Sequence, residues 1–215
     1  MKYIVFILLI LTSFTVRSEI KDRVILDVPT VEQGKMLCGP ATLEMIFRYW
    51  GEKRYSQYDI AKSILHQFSN SKRYKASGIF NNHPVDWSKY PGTGTINMRE
   101  FLKRFGVVKN IMLENPPKSK RQSSRLFETV KESVSGGAPV IVHQYWGKKG
   151  SRGHYRIVTG YDNAKELVYL NDANKGVRIT QTYQQFMEKW NFDQRWLHYN
   201  AIIFKPYSRP LNARI

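Results

Sequence analysis

Apolar positions in the first half of the chain recur at helical spacing, whereas those in the second half come as short β-branched and aromatic runs. "GPATLEMIFRYWG" (39–51) predicts a helix whose buried side holds Leu43, Met45, Ile46, Phe47 and Trp50. Pro40 suits its first turn and Gly51 its stop. "SQYDIAKSILHQF" (56–68) repeats the period with Ile60, Ile64, Leu65 and Phe68. "INMREFLKRFG" (96–106) and "SSRLFETVKESVSGG" (123–137) predict two further amphipathic helices. Residues 69–95, rich in Ser, Asn, Gly, Pro and Tyr, read as a long irregular loop facing a substrate. Strands are predicted at "RVILDVP" (23–29), "PVIVHQYW" (139–146), "HYRIVTGYD" (154–162), "ELVYLND" (166–172) and "YNAIIFK" (199–205). A last helix, "TYQQFMEKW" (182–190), interrupts them. Helices first and an antiparallel sheet second predict an α+β domain, two packed halves sharing one cleft.

The N-terminus changes where this domain is expected to work. Lys2 is followed by an apolar run of 14 residues, Tyr3–Val16, which falls short of the ~20 needed to span a bilayer. It predicts a signal peptide over residues 1–18, cleaved after Ser18, and an exported domain over 19–215, periplasmic or secreted and not integral to the membrane. The composition, 42% hydrophobic and 13% aromatic, is that of a packed domain. With 34 Lys+Arg against 17 Asp+Glu the net charge is +17, and loss of Lys2 and Arg17 leaves it at about +15. Such a field favours anionic partners such as acidic envelope surfaces. The cations are spread along the chain without a nucleic-acid-binding motif, so no specific nucleic-acid partner is expected. "KSKRQSSR" (118–125), the densest basic cluster, follows "NPP" and lacks apolar periodicity; it reads as a solvated loop.

Cys38 is the only cysteine and so has no internal disulfide partner. In an oxidising compartment such a thiol is a buried hydrophobe, an intermolecular link or a reactive group. Its neighbours favour the last. Cys38 directly precedes the first predicted helix, where free N–H groups and the dipole favour a thiolate, and Gly39 permits close backbone approach. Gln33, in the Gly-containing loop upstream, can aim an amide N–H at a developing oxyanion beside the Cys38 backbone N–H. His154 follows a Gly-rich turn at the start of a strand, a suitable place for a base. Asp172 ends the next strand, so a hairpin brings it beside His154 as an orienting carboxylate. Asn171 is the alternative, but adjacent strand residues point to opposite faces; only one can meet His154, and Asp172 is preferred. His66, His83, His143 and His198 have no partners at metal-ligand spacing, so neither metal nor cofactor is expected. Trp50, Trp146 and Trp190 read as core or cleft-wall aromatics.

"VPTVEQGKMLCGPATLEMIFRYWG", "GHYRIVTGYD" and "YLNDANKGVRITQTYQQFMEKW" together resemble the signatures of C39-like cysteine peptidases, across nearly all of the chain after residue 18. That resemblance implies a papain-like fold and a peptide or protein substrate. It implies Cys38 as nucleophile, His154 as general base and acid, Asp172 as orienter and Gln33 as oxyanion helper. The family often carries Pro after the Asp, where this chain has Ala173. Its best-known members cleave leader peptides after a double glycine and are fused to an ABC exporter. This chain has neither a transporter nor an ATPase motif, so that substrate is not carried over. Two rivals stay open: an acyltransferase or transglutaminase-like enzyme using the same thiol, and a catalytically silent envelope-binding module.

Overall fold

The computed structural model describes residues 21–81 and 84–215; the signal peptide expected over 1–18, and His83, lie outside the described residues. Seven strands form one sheet: β1 (Arg23–Ile25), β2 (Gly106–Leu113), β3 (Val140–Tyr145), β4 (Gly153–Asp162), β5 (Leu167–Asp172), β6 (Val177–Thr182) and β7 (His198–Pro206). All neighbours are antiparallel, in the order β2-β7-β3-β4-β5-β6. β1 pairs with β4 beyond the point where β3 leaves it, Ile25 opposite Gly160. Among the described residues six α-helices accompany the sheet: α1 (Cys38–Tyr49), α2 (Gln57–Gln67), α3 (Lys72–Ser77), α4 (Thr95–Lys103), α5 (Lys120–Ser135) and α6 (Tyr183–Trp190).

The expected α+β, papain-like arrangement is present, with the N-terminal helices on the sheet, and α5 and α6 cover its other face. Successive residues of β3 explain why both faces are filled. Ile141 packs with α1, α2 and α4, whereas Val140 and Val142 pack with Val130 and Val134 of α5 and Phe186 and Trp190 of α6. Side chains alternate across a strand, so a strand apolar at every position must be buried on both sides. α1 lies inside the first layer, with Gly39 to Phe47 all buried. It ends in a Schellman turn: Gly51 adopts φ 95°, its N–H donates to the Arg48 carbonyl, and Glu52 N–H donates to Phe47.

Three readings of the sequence need correction. The stretch "KSKRQSSR" is not a loop: from Lys120 onward it is the first turns of α5. Ser119 caps the helix by accepting from Gln122 N–H, and the Gln122 side chain accepts in turn from Lys118 N–H. The stretch 69–95 is not wholly irregular; it contains α3 and two 3₁₀ turns, anchored by buried Tyr74 and Ile79. Strands β2 and β6 were not anticipated. Both are edge strands, with exposed Lys109, Arg178 and Thr180 diluting the apolar signal as edges require. Among the described residues no helix is long and apolar enough to cross a membrane.

Candidate active site

Cys38 is the first residue of α1, one position deeper than its sequence neighbours suggest, with Leu37 as N-cap. The helix reaches it through a tight turn in which Leu37 N–H donates to Gly34 and Met36 takes a left-handed φ of 61°. Gly39 lets the cleft wall close in: a Cβ there would stand 3.0 Å from Thr93 Cβ and 3.2 Å from Met98 Sδ. His154 and Asp172 sit at matching ends of antiparallel β4 and β5. His154 Nε2 lies 2.7 Å from Asp172 Oδ1. Because Nε2 is taken by the carboxylate, Nδ1 is the ring nitrogen left for the Cys38 sulfur, which lines the same cleft and interacts electrostatically with the imidazole. Asn171 faces the other way, its amide donating to the carbonyls of Val28 (2.9 Å) and Pro29 (3.2 Å).

Electrostatics follow from these contacts. Burial works to raise the Cys38 thiol pKa, but the hydrogen bond and charge of His154, with the backbone N–H groups of Tyr155 and Gly39, outweigh it and hold the thiol below its ordinary value. Burial likewise works against a charged His154, yet its bonds to Asp172 and Cys38 raise its pKa. The Asp172 carboxyl, which burial alone would push up, is held well below the carboxylate range by His154, by the Arg156 charge and by the Asn174 N–H. The three groups therefore favour a thiolate–imidazolium pair backed by a carboxylate.

Gln33 stands in the loop before α1 and lines the cleft with Cys38 and His154. Its backbone N–H donates to Ala173 (2.8 Å), tying this loop to the turn after Asp172. Among the described residues no hydrogen bond engages its side chain, and its amide oxygen is buried without a partner. The cleft has a volume of about 690 Å³ and is also lined by Gly92 to Thr95, the end of the stretch expected to face a substrate, and by Ile96 and Asn97 of α4. A slightly larger depression of about 760 Å³ between α2 and Ile215 is lined by Ser63 and His66, but there the Ser63 hydroxyl accepts from Arg104 (3.1 Å). Among the described residues no cluster of His, Cys, Asp and Glu suits a metal ion.

Two supporting residues were missed in the sequence. Arg156 is buried two positions after His154 on the same strand face, with Nε 2.7 Å from Asp172 Oδ2. Its other nitrogens donate to the carbonyls of Tyr145 (3.0 Å) and Trp146 (2.9 Å) and to Gln144 Oε1 (3.2 Å). A charged residue in an apolar strand is rarely unpaired when buried, and that was the available signal. Gln57, at the start of α2, accepts from Gly34 N–H (2.8 Å) and donates to the Glu32 carbonyl (2.8 Å), bracing both sides of Gln33. No sequence pattern announces it.

His143 lies within β3, inside the predicted strand 139–146, but it also lines the cleft. Burial, aided by the His154 charge, pushes its pKa down to about 4. Its ring is wedged between Tyr155 and Phe192, and a Cβ on Gly153 would come within 2.3 Å of its Nε2. Gly153→Ala is therefore expected to cost about 1–3 kcal/mol through overpacking and to displace the adjacent His154. Thermal unfolding should show a melting temperature lower by roughly 5 °C, together with slower alkylation of Cys38. Unchanged stability and rate would mean that the His143 ring yields freely.

Comparison with known proteins agrees with this architecture. The chain matches a candidate C39-like peptidase from Bacillus anthracis with a TM-score of 0.53 at 17% identity, covering 88% of this chain and 100% of the other. At that identity the match speaks for the fold alone. Xylellain, a cysteine protease from Xylella fastidiosa, matches at a TM-score of 0.43 and 10% identity over 88% of each chain. A structure concerning the mite allergens Blo t 1 and Der p 1 matches at 0.46 and 5% identity, over 90% of this chain and 73% of the other. Neither of these two likenesses is strong enough to carry an argument. No curated protein sequence matches significantly. The model of the Peptidase_C39 like family, however, matches residues 25–201, and with most of its length so matched the chain belongs to that family.

Proposed function

We propose that the protein is an exported cysteine peptidase that hydrolyses peptide bonds through Cys38, His154 and Asp172, with Gln33 as oxyanion helper. The observation that carries the reading is a single imidazole shared between the only thiol and a buried carboxylate 2.7 Å away, at a cleft large enough for a peptide. The Cys38 thiolate attacks the peptide carbonyl carbon, and the C=O electron pair moves onto oxygen. The oxyanion accepts from the Cys38 backbone N–H, which has no intrahelical partner in the first turn, and from the Gln33 amide. His154 gives its Nδ1 proton to the leaving amine as the C–N bond breaks, leaving a thioester. It then takes a proton from the water that hydrolyses that thioester and restores the thiolate. Asp172 keeps Nε2 protonated and faces the imidazolium throughout. Export rests on Lys2 and the apolar run after it, and attraction to anionic envelope surfaces rests on the net charge.

The sign of the coupled shifts gives a test. The lowered thiol pKa and the raised imidazole pKa both favour the thiolate–imidazolium pair, so alkylation of Cys38 by iodoacetamide should have its half-point below the ordinary ~8.5. His154→Ala should move that half-point up to about 8.5 or above. A wild-type half-point already there would support a silent binding module instead. Product masses with and without an added amine separate hydrolysis from acyl transfer to the amine.

A further inference from the structure

The turn between β3 and β4, "GKKGSRG" (147–153), delivers His154 to the site, yet its charges take no part in the chemistry above. Lys148, Lys149 and Arg152 are exposed, and among the described residues none of the three is held in an ion pair. Arg152 instead lies over the Trp146 ring, its guanidinium carbon 4.7 Å from the centroid, which fixes the charge on the cleft wall. Trp146 N–H donates to the Arg152 carbonyl (2.9 Å), so both are set by the hairpin itself. A second such pair, Arg195 over Trp196 at 5.5 Å, lines the same cleft.

The lining as a whole has one sign. Its ionisable side chains besides the histidines, Cys38 and Tyr155 are Lys35, Arg73, Arg152 and Arg195, and no Asp or Glu is among them. Glu114 pairs with Arg195 from outside the lining. Apolar exposure gathers here too. Met36, Ile96, Trp146 and Trp196 all line the cleft and are each 41–48% exposed. Met36 and Trp196 are also held at φ 61° and 71°, a strained conformation for non-glycine residues that is tolerated chiefly at functional sites.

The mechanism fixes which part of a substrate meets which wall. His154 protonates the leaving amine, so the surface beside it receives the residues on the C-terminal side of the bond being cut. On that side the cleft is lined by Trp146, Arg152 and Gly153, the two ends of the β3–β4 turn, while Lys148 and Lys149 stand exposed on the rest of the same turn outside the lining. We propose that the site selects peptides with acidic side chains just C-terminal to the scissile bond, read by Arg152 on Trp146 and by Lys148 and Lys149 of the same turn. The inference rests on the peptidase reading and adds the substrate class.

The test is a randomised peptide library cut by the full protein, with new N-termini read by mass spectrometry, because those termini report the residues in question. Cys38-dependent termini should be enriched in Asp and Glu about three- to tenfold, an enrichment that fades as salt screens the pairing. The variant K148S/K149S/R152S should bring the ratio of acidic to neutral termini close to one. Cys38-dependent termini without acidic bias, or a bias that survives the triple substitution, overturn the inference and leave the peptidase reading standing. Absence of any Cys38-dependent terminus overturns both. An unbiased library result combined with turn-dependent binding to anionic phosphatidylglycerol vesicles assigns the turn to a lipid surface and overturns the inference as well.

Discussion

Cys38→Ala is expected to lower kcat/KM for peptide cleavage by at least about 10⁴-fold, because acyl transfer then has no nucleophile and the remaining groups act only on bound water. The fold should survive. Cys38 is half-buried at the start of α1, and alanine keeps the helix and merely removes a sulfur from the cleft. Matching thermal unfolding curves for the two proteins, with turnover followed on an unfolded protein substrate, check both halves of the expectation. Undiminished turnover in the variant would place the chemistry elsewhere. Cys38→Ser should rank close to alanine, since a hydroxyl beside the same imidazole is far harder to ionise than a thiol.

The largest effect on stability is expected at Arg156. Replacing it by Leu leaves the buried Asp172 carboxylate facing only His154 and the Asn174 N–H, and strips donors from the carbonyls of Tyr145 and Trp146 and from Gln144. Breaking one partner of a buried ion pair typically costs about 3–5 kcal/mol, about 10 °C or more in melting temperature for a domain of this size. Activity should fall as well. Asp172 loses the clamp on its second oxygen and holds the imidazole less firmly. A separate readout distinguishes this from general softening: the alkylation half-point of Cys38 should shift in Arg156→Leu but not in a comparably destabilised variant on the α5 face, such as Val134→Ala. A variant as stable as the wild type would show that the Arg156–Asp172 pair brings no net gain over its desolvation.

Apart from α3, the helices were legible at least in part from helical spacing of apolar residues, several with their own end signals: Ser56 with Asp59 at α2, Gly51 after α1, Thr182 with Gln185 at α6. The central strands were legible because both faces are covered, leaving β3 and β4 buried almost throughout and rich in β-branched and aromatic residues. The edges were not, since β2 and β6 look partly like loops until a neighbour pairs with them. The start of α5 is masked by its charge: a helix turn with one face in solvent needs no apolar residue, and its cap at Ser119 reads as part of a loop. At the site, the types and order of Gln33, Cys38, His154 and Asp172 could be read from local context. Strand alternation let only one of Asn171 and Asp172 meet His154, and the two do point apart, with the preferred Asp172 beside the ring. Arg156 and Gln57 went unseen because their roles exist only across elements, the one reaching between β3, β4 and β5 and the other from α2 to the Gln33 loop.

The thiol and the imidazole come from distant parts of the chain, one from the helical layer and the other from the sheet that docks on it. Until the two layers close, Cys38 is an ordinary, sluggish thiol with no base in reach. The proposed chemistry is therefore a property of the folded chain alone, absent wherever the two layers are apart.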